Sequence, residues 1–302
     1  MTQDRPFLGI LLMLGFCVLA PMGDALAKVL GTSLSIGLLV LARFAVQATI
    51  LVPIVILSNR RWHLSPRILR LTILRTVLHI IGITAMFTSL KFLPLADAIA
   101  IVFVMPFIML VLGKYVLNEE VGLRRILACL VGFIGTLFVV QPSFAEVGLP
   151  ALLPMVVAVV FSFFMLITRQ IAKQVDPISL QASSGVLAVV VLLPLLLWGN
   201  SAGVAGTDLT LPQGNTLWLL LLIGVLGTLA HLMMTWSLRF APSATLAPMQ
   251  YLEIPIATAI GWLIFSDLPN GLAAIGITIT MAAGLYIIYR EQAMSRTKPV
   301  TP

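Results

Sequence analysis

Apolar residues run along this chain in blocks of about twenty, the length of α-helix that crosses the roughly 30 Å hydrocarbon core of a bilayer. Ten blocks, at residues 7–28, 34–57, 70–90, 95–117, 123–141, 149–171, 178–198, 216–238, 243–265 and 270–289, are separated by short polar breaks. Each is read as a transmembrane helix. The first is included because it is too long, and too weakly basic at its front, for a cleaved signal peptide. No segment between the blocks exceeds about 20 residues, which leaves no room for a soluble domain with chemistry of its own.

The pattern occurs twice. Ser89-Leu90-Lys91-Phe92-Leu93-Pro94 returns 148 residues later as Ser237-Leu238-Arg239-Phe240-Ala241-Pro242, at the same place relative to the surrounding blocks. The chain thus divides into two five-span units, residues 1–145 and 146–302. An odd number of crossings makes the second unit enter from the opposite side. The expected fold is an all-α polytopic membrane protein, with ten transmembrane helices arranged as two inverted five-helix repeats. Such repeats are related by a pseudo-twofold axis in the membrane plane and enclose a site near the midplane.

With 60% hydrophobic residues, 10% charged residues and a mean hydropathy of +1.10, the composition lies far from soluble proteins, in which about 25% of residues are charged. A net charge of +7 would suggest nucleic acid in a soluble chain, but its placement changes that reading. With a cytoplasmic N-terminus, thirteen of the 18 Lys and Arg, among them Arg60, Arg61, Arg67, Arg70 and Lys298, fall on the inner side, against Lys28 and Lys91 outside. This positive-inside bias predicts the inner (plasma) membrane, both termini cytoplasmic, and no nucleic-acid partner. Lys91 then lies outside while its repeat partner Arg239 lies inside. Cys17 and Cys129 fall in apolar blocks and are expected as packing residues, so no disulfide, metal site or cofactor is implied. Gly132, Gly135, Gly276 and Gly284 permit close helix contact and are assigned to the scaffold or to the face of a weak homodimer, with a monomer as the alternative.

The stretch Pro94-Leu95-Ala96-Asp97-Ala98, then Met105-Pro106, Leu117-Asn118-Glu119, Arg124-Arg125 and Gly132-Phe133-Ile134-Gly135 resembles the first half of the drug/metabolite transporter superfamily in its EamA-type branch. Pro242, Ile254-Pro255, Gly261, Asp267 and Gly284 repeat it in the second half. The resemblance implies a ten-helix inverted-repeat carrier of small metabolites. One branch of the family exports aromatic amino acids, and the chain is similar to it; another takes up nucleoside-like or cofactor-like compounds. Where family members commonly have Gly-Glu after the fourth helix, this chain has Asn118-Glu119, a change at a helix end that leaves the fold reading intact.

A charge at the centre of a span costs roughly 2.5–3.5 kcal/mol on insertion scales, so every ionisable residue there calls for a reason. Asp24 and Lys28, one turn apart on the first helix, either pair near the outer interface with Lys28 snorkelling or leave Asp24 on the path as a proton-coupling group. Arg43 and Gln47 share one face of the second helix and suit a carboxylate, unless Arg43 serves the carbonyls of a neighbouring helix. His79 is a candidate for substrate hydrogen bonding and His231 for proton coupling, a neutral core histidine being the other reading of either. Pro106 and Pro255 interrupt the fourth and ninth helices at matching repeat positions and free the carbonyls of Val102 and Tyr251. They serve as hinge or gate residues beside a binding site, or as kinks that fit the helices to the bundle. Glu253, near Gln250, Tyr251 and Trp236, is a proton carrier or else a partner of Arg239. Asp97 is expected to complement the dipole of the fourth helix. Met105, Phe164, Tyr251 and Trp236 complete the expected substrate-binding set.

The leading functional reading is a secondary transporter that exports small amphipathic metabolites, amino acids first and aromatic ones among them, by alternating access through a central cavity. The alternative is uptake of a nucleoside-like or cofactor-like solute, or a broader drug/metabolite efflux carrier. An enzyme is disfavoured, since the chain has no acidic cluster for Mg²⁺ and diphosphate, no His-x-x-x-His pair and no Gly-x-Ser-x-Gly turn. No filter-like segment points to a channel, and no phosphate-binding loop within the chain supports ATP-driven pumping.

Overall fold

A computed structural model describes residues 5–60, 62, 65–118 and 122–297. Arg61, Glu119 and Lys298 lie outside the described residues, as do the side chains of Arg124, Arg125 and Cys129. Among the described residues, twelve α-helices follow in order: α1 (Pro6–Leu30), α2 (Ile36–Leu57), α3 (Pro66–Ser89), α4 (Leu95–Val102), α5 (Met105–Val116), α6 (Leu123–Val147), α7 (Leu153–Ala172), α8 (Pro177–Ser201), α9 (Asn215–Phe240), α10 (Ser243–Leu246), α11 (Glu253–Phe265) and α12 (Gly271–Thr297). Among the described residues, eight helical segments are long and apolar enough to cross a bilayer, and two shorter apolar ones, Met249–Phe265 and Gly271–Ala283, complete the ten spans.

The helices begin and end where local chemistry permits. Ser35 Oγ accepts from the Leu38 amide at 3.1 Å and caps α2; Asp176 Oδ2 accepts from the Ser179 amide at 3.1 Å and caps α8, the same span of the other repeat. Pro66 and Pro177 occupy first turns, where a missing N–H is no loss. Within the spans, the hydroxyls of Thr72, Thr76, Thr168 and Thr228 donate to the carbonyl four residues earlier, so each is satisfied without leaving its own helix.

Two spans are broken, and they are repeat equivalents. The fourth is divided at Phe103–Val104 into α4 and α5. The ninth is divided into α10, a 3₁₀ stretch over Ala247–Leu252, and α11. Pro106 stands in the first turn of α5, and Pro255 three residues into α11, so both breaks lie just ahead of the expected prolines.

Packing follows the twofold exchange of the repeats. Helix α1 lies along α9, and its counterpart α7 lies along α3; α6 packs on α12 and α2 on α8, each pair mapping onto itself, while α4 on α11 maps onto α10 on α5. The α6–α12 seam is the closest. A Cβ on Gly135 would stand 2.7 Å from the Gly276 carbonyl oxygen, and Thr280 Oγ1 reaches the Gly132 carbonyl at 3.3 Å.

The bundle has two ends. At one, α1 ends and α2 begins, and Lys28 Nζ meets Asp267 Oδ2 at 3.1 Å and the Leu93 carbonyl at 3.0 Å. At the other, α2 and α7 end, and Arg60 Nη1 meets Asp176 Oδ1 at 2.7 Å. These are the Lys28 face and the Arg60 face. The latch at Lys28 has a repeat counterpart at the opposite end, where Arg169 Nη1 donates to the Leu238 carbonyl at 2.6 Å.

Two outcomes test this arrangement. Gly276→Val is expected to destabilise the protein by about 1–3 kcal/mol through overpacking of the α6–α12 seam. Its melting temperature in detergent should fall by several degrees, while Gly271→Val, with open space around it, should leave the melt unchanged. Cysteines placed at Lys91 and Arg239 are expected to react with a membrane-impermeant maleimide from opposite faces of a sealed vesicle, and labelling from one common face would refute the inversion.

Candidate functional site

A cavity of about 80 Å³ lies where the two repeats meet. Its walls come from α1, α3, α4 and α5 of the first repeat and from α7, α9 and α11 of the second, with Arg43 reaching in from α2. The space suffices for several waters, so admitting a metabolite requires the helices to part. Most of the lining is apolar, with Phe16, Ile83, Met86, Met105 and Phe161 among it. Four polar side chains interrupt it: Asp24, Arg43, His231 and Glu253.

Arg43 crosses from α2 over the backbone of α9, where a Cβ on Gly227 would lie 2.7 Å from its Nε. Glycine at that position lets the guanidinium reach the cavity. Arg43 Nη2 is 2.8 Å from His231 Nδ1, which is also 3.1 Å from the Gly227 carbonyl. A guanidinium can only donate, so the Arg43 contact makes Nδ1 the acceptor and places the ring proton on Nε2. A proton on Nδ1 would turn His231 toward Gly227 and release Arg43. Arg43 Nη1 is buried without a hydrogen-bond partner among the described residues. Asp24 lies within electrostatic reach of both Arg43 and Glu253, and the Cys17 thiol lies beside Glu253. Glu253 Oε1 is likewise buried and unpartnered.

The structure therefore gathers Asp24, Arg43, Met105, His231 and Glu253 at one cavity. Other expected residues lie elsewhere. Gln47, expected to share a carboxylate with Arg43, donates instead to the Gln181 backbone carbonyl at 2.7 Å and to its side-chain Oε1 at 3.3 Å. His79 is fully buried behind the cavity wall, stacked on His231 with ring centroids 4.3 Å apart and surrounded by Phe44, Phe161 and Phe164. Neither of its ring nitrogens has a hydrogen-bond partner among the described residues. Phe164 is buried beneath it. Tyr251 packs in the core against Phe103 and close to Gly132, away from the cavity lining. Trp236 packs against a separate apolar cluster of Leu51, Val55, Ala182 and Leu232.

Two expected ion pairs are replaced. Lys28 turns from Asp24 to Asp267 and the Leu93 carbonyl, which leaves Asp24 to the cavity. Arg239 donates to the Val175 carbonyl at 3.3 Å rather than pairing with Glu253. Asp97 stands in the first turn of α4 as expected, and Ser143 Oγ on α6 donates to it at 3.2 Å.

The sequence reading passed over Arg75. It is fully buried, with Nε 2.7 Å from Thr168 Oγ1, Nη1 2.8 Å from Ser184 Oγ, and its guanidinium carbon 4.3 Å from the Phe164 ring centroid. The rule that singled out Arg43, a cation inside a span, applies to Arg75 equally. Gln181, which donates to the His231 carbonyl at 2.9 Å and to Thr235 Oγ1 at 2.8 Å, had no such signal.

Known proteins agree with this architecture. The Rhizobium johnstonii riboflavin transporter is 31% identical over 222 residues, covering 74% of this chain and 71% of its own. An S-adenosylmethionine uptake transporter of Rickettsia felis is 28% identical over 274 residues, 90% of each chain. A pseudopaline exporter of Pseudomonas aeruginosa is 25% identical over 228 residues, 75% of each. One solved crystal structure superposes with a TM-score of 0.69 at 14% identity, over 96% of this chain and 98% of the other, a likeness of fold. Both repeats match a single family profile, at residues 7–141 and 148–290, and on that match the chain belongs to the EamA-like transporter family, within the drug/metabolite transporter superfamily.

Proposed function

We propose that this membrane transporter takes up a cofactor-like or nucleoside-like solute, with both termini cytoplasmic in the plasma membrane. The observation that carries the proposal is the pairing of opposite charges in an otherwise apolar, aromatic-edged cavity: Arg43 with a free Nη1 on one side, Asp24 and Glu253 on the other. A solute with a flat ring finds stacking edges in Phe16 and Phe161. A carboxylate on it suits Arg43, and a cationic centre suits the acidic pair. S-adenosylmethionine carries all three groups, and riboflavin carries the ring; both names occur among the relatives. That kinship favours uptake of such solutes over the export of amino acids that led the sequence reading. Export stays as the second reading on one specific ground, the pseudopaline exporter among the relatives.

Transport is read as alternating access, with the repeats closing first on one side of the cavity and then on the other. Glu253 is the proposed proton carrier. It faces Cys17 and Asp24 from α1, with Arg43 and His231 on the other cavity walls, so its proton and a cationic solute compete for one acidic pair.

Reconstituted protein preloaded with unlabelled solute is expected to show saturable counterflow of radiolabelled riboflavin or S-adenosylmethionine, and little of phenylalanine or tryptophan. Counterflow of the aromatic amino acids alone would return the assignment to the export reading. Arg43→Gln should lower the counterflow at least tenfold, whereas Trp262→Leu, exposed on the outer surface of α11, should change it less than twofold. Uptake of the cationic S-adenosylmethionine is expected to fall as the outside pH falls, because protonation of the outward-facing acidic pair then excludes the solute that competes for it. Glu253→Gln should flatten that profile, and a Glu253→Gln variant with wild-type pH dependence would remove this residue from the coupling.

A further inference from the structure

The cavity is placed off-centre. Asp24, Phe87, Ile99 and Ile223 line it within about two helical turns of the Lys28 face, counted from the helix ends there. Toward the Arg60 face the path is filled. We propose that Arg75 is the positioning residue that holds the path shut on the Arg60 face, as the centre of a polar plug between the repeats.

Three layers make the closure. Nearest the cavity, Arg75 on α3 donates to Thr168 on α7 and to Ser184 on α8, while Gln47 on α2 donates to Gln181 on α8, so every one of these bonds joins the first repeat to the second. Beyond them, Leu51 and Val55 of α2 meet Ala182 and Leu232 of the second repeat, with Trp236 packed against the seam. At the surface, Arg60 pairs with Asp176. At the Lys28 face the bonds named across the repeats lie at the surface: Lys28 pairs with Asp267, Ser35 Oγ donates to the Asp208 carbonyl, and the Gly37 amide donates to the Gly206 carbonyl at 3.0 Å.

The chemistry of the plug suits a gate that must open. Arg75 is held by two neutral hydroxyls rather than by a carboxylate. Thr168 Oγ1 keeps its own bond to the Phe164 carbonyl at 2.7 Å whether or not Arg75 is present. Water can replace a hydroxyl as acceptor for a guanidinium, whereas a buried ion pair broken by movement leaves two uncompensated charges. Arg75 Nη2, Gln47 Oε1 and Ser183 Oγ are buried without hydrogen-bond partners among the described residues, which places further unmet polar groups where water enters on opening. The position matching Arg75 in the second repeat, 148 residues on, is Ile223, which lines the cavity. The two sides thus differ beneath their surface ion pairs: a buried cation held by hydroxyls stands on the Arg60 side of the cavity, where its repeat equivalent on the Lys28 side is the apolar Ile223. Exchanging Arg75 for an apolar residue removes the bonds specific to one closed state and shifts the population toward the other.

The inference rests on the carrier reading only for the existence of a second open state, and its test needs no substrate. In a Cys17→Ala/Cys129→Ala background, a reporter cysteine at Ala182, fully buried in the second layer, is expected to resist an impermeant maleimide. Adding Arg75→Met should speed its labelling at least tenfold from the Arg60 face alone, and should slow labelling of a Leu19→Cys reporter from the Lys28 face. The Thr168→Val/Ser184→Ala pair should produce the same shift to a smaller extent, and it decides the matter if Arg75→Met fails to purify as a monodisperse species. Unchanged Ala182→Cys labelling in properly folded variants, or labelling from both faces, would overturn the proposal. Absence of riboflavin or S-adenosylmethionine counterflow by the unmodified protein, with the labelling shift intact, would instead count against the substrate reading alone and leave the gate in place.

Discussion

Hydrocarbon offers no water to a polar group, and that constraint governs how this molecule distributes its few polar side chains. The hydroxyls along the spans bond back to their own helices, as Thr72, Thr76 and Thr228 do. The cations at the helix ends take carbonyls or surface carboxylates, as Lys28, Arg60 and Arg169 do. Among the described residues, buried polar atoms left unmet include Arg43 Nη1 and Glu253 Oε1 at the cavity and Arg75 Nη2 and Gln47 Oε1 in the plug beneath it. Each such group costs about 1–3 kcal/mol when left unpaired. A bundle selected for stability alone would not retain them, and a bundle that must dehydrate a solute and rehydrate its own path has a use for each. The α6–α12 seam and the other glycine-tight contacts provide the rigidity that tolerates this cost.

Much of the fold could be read from the chain because the signals are periodic and local. Blocks of about twenty apolar residues mark spans whatever their neighbours are. The recurrence of Ser-Leu-Lys-Phe around Pro94 as Ser-Leu-Arg-Phe around Pro242 marks the duplication, and five spans per unit make it inverted. The two broken spans were also legible, since Pro106 and Pro255 cannot continue an unbroken hydrogen-bond ladder. The placement of the breaks was less so. The chain leaves the α-helix at Phe103–Val104 and over Ala247–Leu252, ahead of each ring, so that proline serves as the start of the next helix rather than as a kink within one.

The site divides along the same line. Asp24, Arg43 and Glu253 were found because an ionisable residue inside a span needs a reason in any fold. Their partners were not, because helical spacing reports only what lies on the same helix. Asp24 and Lys28 are one turn apart and do not pair, since Asp267, 239 residues away, offers Lys28 a partner at the surface. Gln47 follows Arg43 by one turn yet serves Gln181, 134 residues away. His79, an apparent substrate ligand in the sequence, proves to be a ring in an aromatic stack behind the wall. In each case a contact across the repeat interface overrides the neighbour along the helix, and that interface is what a single sequence does not show.

Duplication explains the geometry of the bundle, but it does not oblige the two halves to share chemistry. Lys28 and Arg169 still perform the same task at opposite ends, each tying the first helix of its repeat to a carbonyl near the end of the third, Leu93 just beyond α3 and Leu238 in the last turn of α9. Arg75 and Ile223 have parted: one is a buried cation bonded across the repeats, the other an apolar cavity wall. A strictly symmetric carrier would spend equal time open to either side, because its two closed ends would be the same structure. Once one end holds a buried guanidinium among hydroxyls where the other holds an isoleucine, the two states differ in free energy and in their response to solute. The resting bias of the carrier is then set by a handful of positions where the repeats diverge, while the fold that allows both states is set by the far larger number where they agree.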